Sequence, residues 1–316
     1  MTAPRSTLVY RAIADNVEHV VRGKPEVVRL AVAALLAEGH LLVEDVPGVG
    51  KTTLARCLAR SIGGTWNRIQ FTPDLLPGDV TGVMVYHQNA ERFEFHRGGV
   101  FANVVLADEI NRGTPKTQSA LLEVMSERRV TVDAATHEVP HPFLVVATQN
   151  PIEMEGTYRL PEAQLDRFLV RVSVGYPDLA AEVLVVMSDC ARVSPDDLGA
   201  VVDVDGLRAA IAEVRASHVA PAVCEYAVRV AAATREHAAV RWGASPRGSI
   251  GLIRAAQALA ATEGRLYATP DDVKAVAEPV LAHRLVLSPD AELNGRRPAE
   301  VVAEVLAGVP VPVTAG

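Results

Sequence analysis

The 316-residue chain is poor in cysteine, with three, and poor in aromatic residues, at 4%. Cys57, Cys190 and Cys224 lie far apart and form no C-x-x-C pair. That excludes a zinc ribbon, a dithiol redox motif and a disulfide-stapled scaffold, and leaves reduced, mostly buried thiols. The nine histidines lack metal-binding spacing. His137 and His141 stand four apart, but Pro140 and Pro142 interrupt any helix there, so both read as hairpin residues. No apolar stretch reaches membrane-spanning length, and Met1 to Tyr10 lacks the apolar core of a leader peptide; the expectation is a cytoplasmic protein with no membrane insertion. An excess of positive charge is missing too. The formal net charge of −7 argues against direct nucleic-acid binding, which needs a basic footprint.

Aliphatic residues supply the core instead. Hydrophobic content is 49% and charged content 22%, ordinary for a globular protein, and the length leads one to expect two domains. Residues 7–36 read as two helices separated by Val21-Arg22-Gly23-Lys24-Pro25. Strand candidates at 40–44, 66–71, 103–107 and 143–148 then alternate with helices. Continuous apolar strands are buried on both faces, as in a parallel sheet covered by helices, so the chain is predicted to be α/β. A helix is expected at 115–127, with Thr114 as N-cap and Pro115 at its first position. Residues 129–142 read as a β-hairpin and 179–192 as a long helix. Beyond Ser194-Pro195-Asp196 the remaining segments, 205–216, 221–238, 246–262, 270–283 and 298–307, read as helix, which sets a core at 1–194 and a small all-α domain at 195–316.

The chemistry is concentrated in Glu44-Asp45-Val46-Pro47-Gly48-Val49-Gly50-Lys51-Thr52. This stretch follows the apolar run Leu41-Leu42-Val43 and precedes a helical pattern from Thr53, the context a phosphate-binding loop requires. It departs from G-x-x-x-x-G-K-[ST] at the first glycine, which is Asp45. Glycines let the backbone wrap an anion, and the following helix start adds partial positive charge. Pro47, Gly48, Val49, Gly50, Lys51, Thr52 and Thr53 are therefore candidate nucleotide contacts. Lys51 would reach the β- and γ-phosphates, and the Thr52 hydroxyl would ligate Mg2+.

A second acidic site ends the apolar run Val104-Val105-Leu106-Ala107, where Asp108 and Glu109 follow in succession. Beside a phosphate loop, Asp108 would hold Mg2+ with Thr52, because Mg2+ keeps several waters and needs few carboxylates. Glu109 would polarise the attacking water, a role that contributes about 10²–10⁴-fold.

At Asp108-Glu109-Ile110-Asn111-Arg112 the chain resembles the AAA+ ATPases of the MoxR family. The resemblance extends through residues 70–79, Ala147-Thr148-Gln149-Asn150-Pro151, residues 160–168 and Gly243-Ala244-Ser245-Pro246-Arg247, and covers about residues 10–310. It implies an AAA+ P-loop NTPase core, with a parallel sheet flanked by helices, followed by an all-α lid. It implies a helix-2 insert at about 72–98 and a hairpin before sensor 1 at about 129–142. Read from the residues alone, Asn150 is a turn residue before Pro151, Arg167 pairs on the surface with Asp166, and Arg247 is a solvated residue in a first helical turn. The resemblance instead makes Asn150 the sensor-1 residue, Arg167 an arginine finger offered to a neighbouring subunit, and Arg247 the sensor-2 residue touching the γ-phosphate of its own subunit. Gly23 and Lys24 match the segment lining the adenine pocket.

The function so implied is an ATPase with ATP and Mg2+ as cofactors. The resemblance implies that it would act as a homo-oligomeric, hexameric ring and remodel partners that carry a von Willebrand factor A domain. Two readings of other classes stand beside it: a nucleic-acid-associated AAA+ motor, and a nucleotide-gated binding module with little turnover.

Overall fold

The computed structural model describes residues 3–46, 48–133, 135–150, 157–190 and 194–312. Two helices open the chain, α1 (Arg5–Glu18) and α2 (Pro25–Leu36), the second started by a proline at its first position. Strand β1 (Leu41–Glu44) leads into α3 (Lys51–Ser61), and β2 (Trp66–Gln70) follows. The expected insert contains a short helix, α4 (Pro77–Thr81), and the strands β3 (Gly82–His87) and β4 (Arg92–Arg97). Next come β5 (Val104–Asp108), α5 (Pro115–Glu127), the hairpin β6 (Arg129–Val132) and β7 (Ala135–Glu138), and β8 (Leu144–Gln149). Helix α5 starts as its sequence predicts, with the Thr114 hydroxyl accepting from the Thr117 amide at 3.4 Å.

A short helix, α6 (Glu162–Leu165), precedes β9 (Val170–Val172), and α7 (Leu179–Cys190) follows. The central sheet runs β2-β5-β8-β1-β9 and is parallel throughout. Its fifth strand, β9, was not among the four expected strands. Three residues are too few to show a period, and the middle one is Arg171, which pairs with Glu44 of β1 at 2.8 Å.

Strand alternation divides the core in two. Leu41, Val43, Val104, Leu106, Leu144 and Val146 face α1, α2 and α3. Leu42, Val105, Ala107, Val145 and Ala147 face α5 and the root of the insert. Period-two side-chain alternation across a twice-covered sheet produces this split.

The C-terminal part is helical: α8 (Val204–Arg215), α9 (Pro221–Glu236), α10 (Pro246–Thr262), α11 (Pro270–Leu281), α12 (Pro289–Leu293) and α13 (Pro298–Gly308). Short strands that sequence periodicity did not reveal pair within it, β10 (His218–Val219) with β12 (Tyr267–Ala268) and β11 (Val240–Trp242) with β13 (Val286–Leu287). The apolar cluster on the α1 face continues into this part through Leu207, Ile211, Leu252 and Leu259. Among the described residues no helix is long and apolar enough to cross a membrane.

Candidate functional site

A parallel sheet sends every strand's carboxyl end to one edge, and ligands bind there. The phosphate loop follows β1, Asp108 ends β5 with Glu109 next, Asn150 follows β8, and Ser173 and Gly175 follow β9. The structure thus gathers the loop, both acidic residues and Asn150 at this edge.

Pro47 lies outside the described residues. Gly48 and Gly50 have φ of +85° and +90°, and among the described residues a Cβ on either would meet nothing within 4 Å. The cradle is therefore open, with its glycines in the left-handed region. Helix α3 begins at Lys51 with no side chain capping it and no acidic residue in its first turn. Val49 lies between the two glycines, and Thr52 and Thr53 occupy that first turn. An uncapped helix start presenting amides to an open, glycine-lined space suits a phosphate. Lys51 Nζ donates to the Asp45 carbonyl at 2.6 Å.

Asp45 explains the departure from the usual loop pattern. Its Oδ2 accepts from Ser173 Oγ at 2.8 Å and from the Gly175 amide at 2.6 Å, and its Oδ1 accepts from the Val46 amide at 2.8 Å. Burial alone would raise its pKa, but the bonds from Gly175, Ser173 and Val46 hold the carboxyl below its ordinary value. The carboxylate ties the loop to β9, which a glycine could not do.

The two acidic residues are held by side chains to which the sequence alone assigns no role. Asp108 Oδ1 accepts from Thr148 Oγ1 at 2.6 Å, and Oδ2 accepts from Arg68 Nε at 3.1 Å and a terminal Arg68 nitrogen at 2.7 Å. Glu109 has a φ of +55° and donates its amide to the Thr148 hydroxyl at 2.9 Å. Its Oε2 accepts from Gln70 at 3.0 Å and Arg112 at 2.9 Å. Arg68 and Gln70 stand two apart on β2, so they share one face of a strand next to β5. A carboxylate already drawing a guanidinium to one oxygen, with a threonine hydroxyl opening α3, is a donor set that fits a hard divalent cation.

Asn150 is buried, and its backbone carbonyl accepts from Asn111 Nδ2 at 3.4 Å. Gly23 and Lys24 come close to the chain beyond β9. Lys24 Nζ donates to the Tyr176 carbonyl at 2.7 Å, and a Cβ on Gly23 would lie 2.4 Å from that of Ala181.

The structure separates the two candidate arginines, Arg167 and Arg247, from this edge. Arg167 precedes β9, and Leu169 donates its amide to the carbonyl of His40, the residue before β1, at 2.8 Å. Arg167 therefore belongs to the amino edge of the sheet, on the order of 13 Å along β1 from the loop. Its guanidinium bonds to the Leu122 carbonyl and, at 2.9 Å, to Ser126 Oγ, both on α5. It does not pair with Asp166, whose carboxylate instead takes Arg284 at 2.8 Å and Ser245 Oγ at 2.9 Å. Arg247 lines the same cleft as Arg167, a space of about 280 Å³ that also holds His40, Met125 and Arg254 and none of the phosphate-loop residues. The expected contact between Arg247 and its own subunit's γ-phosphate is thus not what the fold presents. Ser245 caps α10 and is bonded to Asp166, which keeps the start of that helix at the amino edge.

The chain matches the model of the ATPase family associated with various cellular activities over residues 40–170 and that of the AAA lid domain over residues 232–305. It is 48% identical over 302 residues to the uncharacterized protein YeaC of Bacillus subtilis, covering 95% of this chain and 93% of that one. It is 45% identical over 312 residues to chaperone MoxR1 of Mycobacterium tuberculosis, covering 96% and 82%. It is 35% identical over 321 residues to the MoxR protein of Paracoccus denitrificans, covering 93% of each. A crystal structure of a candidate ATPase from Cytophaga hutchinsonii superposes with a TM-score of 0.90 at 36% identity, over 98% of this chain and 97% of that one. Fold and loop define an AAA+ nucleotide-binding protein with a helical lid. Within that class the chain belongs to the MoxR family of AAA+ ATPases.

Proposed function

We propose that the protein is a Mg2+-dependent ATP hydrolase that works as a homo-oligomeric ring, with six subunits, and uses hydrolysis to remodel partner proteins. The observation that carries this reading is the division of the site between the two edges of one parallel sheet. The phosphate loop, Asp108, Glu109 and Asn150 share the carboxyl edge, and Arg167 and Arg247 share a cleft at the amino edge. A complete site then needs a second copy of the chain.

In this reading the amides of 48–50 and Lys51 bind the β- and γ-phosphates, with Gly23 and Lys24 beside the base. Thr52 and Asp108 would hold Mg2+, which when bound neutralises phosphate charge. Glu109 takes the proton of the attacking water, and Asn150 positions that water. The neighbour's Arg167 meets the developing phosphoryl charge, a contribution of about 10³–10⁵ in rate for such fingers. Arg247 acts beside it. The division at 1–194 and 195–316 separates the hydrolytic core from the lid that carries Arg247.

Partners would meet the insert hairpin, where Tyr86 and Phe93 pack at 5.1 Å and are 50% and 63% exposed. A client carrying a von Willebrand factor A domain, and action in the cytoplasm, are what membership of the family suggests. A net charge of −7 supports this reading over a nucleic-acid motor.

The test is Mg2+-dependent hydrolysis per subunit across a range of protein concentrations, with Glu109→Gln alongside. Specific activity that rises with concentration and is lost in the variant supports the reading. ATP binding with no turnover at any concentration points instead to a nucleotide-gated binder.

A further inference from the structure

One face of the insert hairpin carries a cluster with no part in nucleotide chemistry. Strands β3 and β4 pair antiparallel, with Val83 opposite His96, Val85 opposite Glu94 and His87 opposite Arg92. Alternation puts His87, Glu94 and His96 on one face of the ribbon and Tyr86, Phe93 and Phe95 on the other. The two Nε2 atoms of His87 and His96 are 3.1 Å apart, and Glu94 Oε2 lies 3.4 Å from His87 Nε2. One ligand atom from each of the three residues falls within 4.8 Å of the others.

We propose that His87, Glu94 and His96 bind a divalent transition-metal ion of the Zn2+ type. A tetrahedral ion with bonds of about 2.0–2.1 Å holds neighbouring ligand atoms about 3.3–3.4 Å apart, close to the spacings here. Two imidazole nitrogens facing each other at this distance cannot both carry a proton, so at least one offers a lone pair. Two imidazoles and one carboxylate suit Zn2+ and its neighbours rather than Mg2+, which prefers oxygen. Arg92 donates to the other carboxylate oxygen, Oε1, through Nε at 2.8 Å, which leaves Oε2 turned toward the histidines. A partner of that kind orients a ligand and tunes its affinity. The ion would join the last residue of β3 to Glu94 and His96 of β4 and fasten the two strands along one face of the ribbon. Three protein ligands leave one tetrahedral position open, available to water or to a donor on a bound protein. This site is separate from the nucleotide's Mg2+ and does not depend on ATP hydrolysis.

The test is calorimetric titration of Zn2+ into the metal-free full chain, made in a Cys190→Ser background because Cys190 is exposed and a competing soft ligand. Co2+ serves as the spectroscopic probe, and amide exchange of residues 82–97 is followed with and without Zn2+. The expected result is one ion per chain with a Kd of about 10 µM or tighter. Visible Co2+ bands of a tetrahedral site and slower exchange in β3 and β4 should accompany it. His87→Ala, His96→Ala and Glu94→Gln should each weaken binding by more than about tenfold, and Arg92→Ala by about tenfold. His218→Ala, remote from the hairpin, should change nothing. Binding weaker than about 100 µM, or binding that the hairpin substitutions leave intact, overturns the proposal.

Discussion

Arg284 donates through Nε to the Asp166 carboxylate at 2.8 Å, with a side chain only 4% exposed. The rest of its guanidinium reaches the carbonyls of Asp166 at 3.2 Å, Phe168 at 2.6 Å and Leu169 at 3.3 Å. Arg284, three residues beyond the end of α11, thereby grips the segment that carries Arg167. The same carboxylate holds Ser245, the cap of the helix that carries Arg247. Removing one partner of a buried pair leaves the other charge uncompensated, at a cost of about 3–5 kcal/mol. Arg284→Ala should lower the unfolding free energy by that amount in urea titrations. Asp166→Ala should depress hydrolysis while leaving nucleotide affinity within about twofold, since Asp166 is remote from the phosphate loop.

Arg68 occupies Asp108 Oδ2, one of the oxygens a bound cation would use. Arg68→Ala should favour Mg2+–ADP over metal-free ADP by about two- to fivefold, a modest effect because the Arg68 side chain is 47% exposed. The ratio is read with a fluorescent nucleotide in Mg2+ and in chelator. An unchanged ratio would show that the guanidinium and the cation do not compete.

Glu109→Gln keeps the shape of the side chain but removes the base. Hydrolysis should fall by about 10²–10⁴-fold with ATP binding retained. Loss of binding together with turnover would assign Glu109 to the fold of the loop rather than to the water.

Much of this was legible in the sequence for specific reasons. The strand candidates at 40–44, 66–71, 103–107 and 143–148 correspond to four of the five sheet strands, three of them apolar runs, and Thr114-Pro115 gave the start of α5. The helix starts at Pro221, Pro246, Pro270 and Pro298 were equally readable. What escaped depends on contacts across the sheet or between distant segments. Arg68 and Gln70 have no role that the sequence alone assigns, because it is the pairing of β2 with β5 that puts them against Asp108 and Glu109. Spacing could place Arg247 at a helix start but could not say which sheet edge that helix faces. His87 and His96 are nine apart, a separation that has metal-binding meaning only once the hairpin register is known.

Buried histidines set a pH dependence. The Val145 amide donates to His40 Nδ1 at 3.1 Å, and Nε2 lies 3.1 Å from the Met125 carbonyl. Burial pushes its pKa from 6.5 down to about 4. Between those values the unfolded chain takes up a proton that the folded chain refuses. Stability is therefore full above pH 6.5 and is lost as pH falls toward 4, by up to roughly 3 kcal/mol. His283 acts in the same direction, because burial and then Arg284 press its pKa well below the ordinary value. Unfolding free energies at about pH 7 and about pH 5.5 should differ accordingly, and His40→Asn should reduce the difference by about 1.2 kcal/mol.

The central claim is that each nucleotide site is completed by a neighbour's Arg167. The direct measurement is hydrolysis by an equimolar mixture of Lys51→Ala and Arg167→Ala chains, allowed to exchange subunits. Each variant alone should be inactive. Random mixing restores an intact loop opposite an intact finger at about one interface in four, and activity should recover to about that fraction of the native rate. A mixture as inactive as its components, formed under conditions where subunit exchange is verified, would contradict a finger acting in trans.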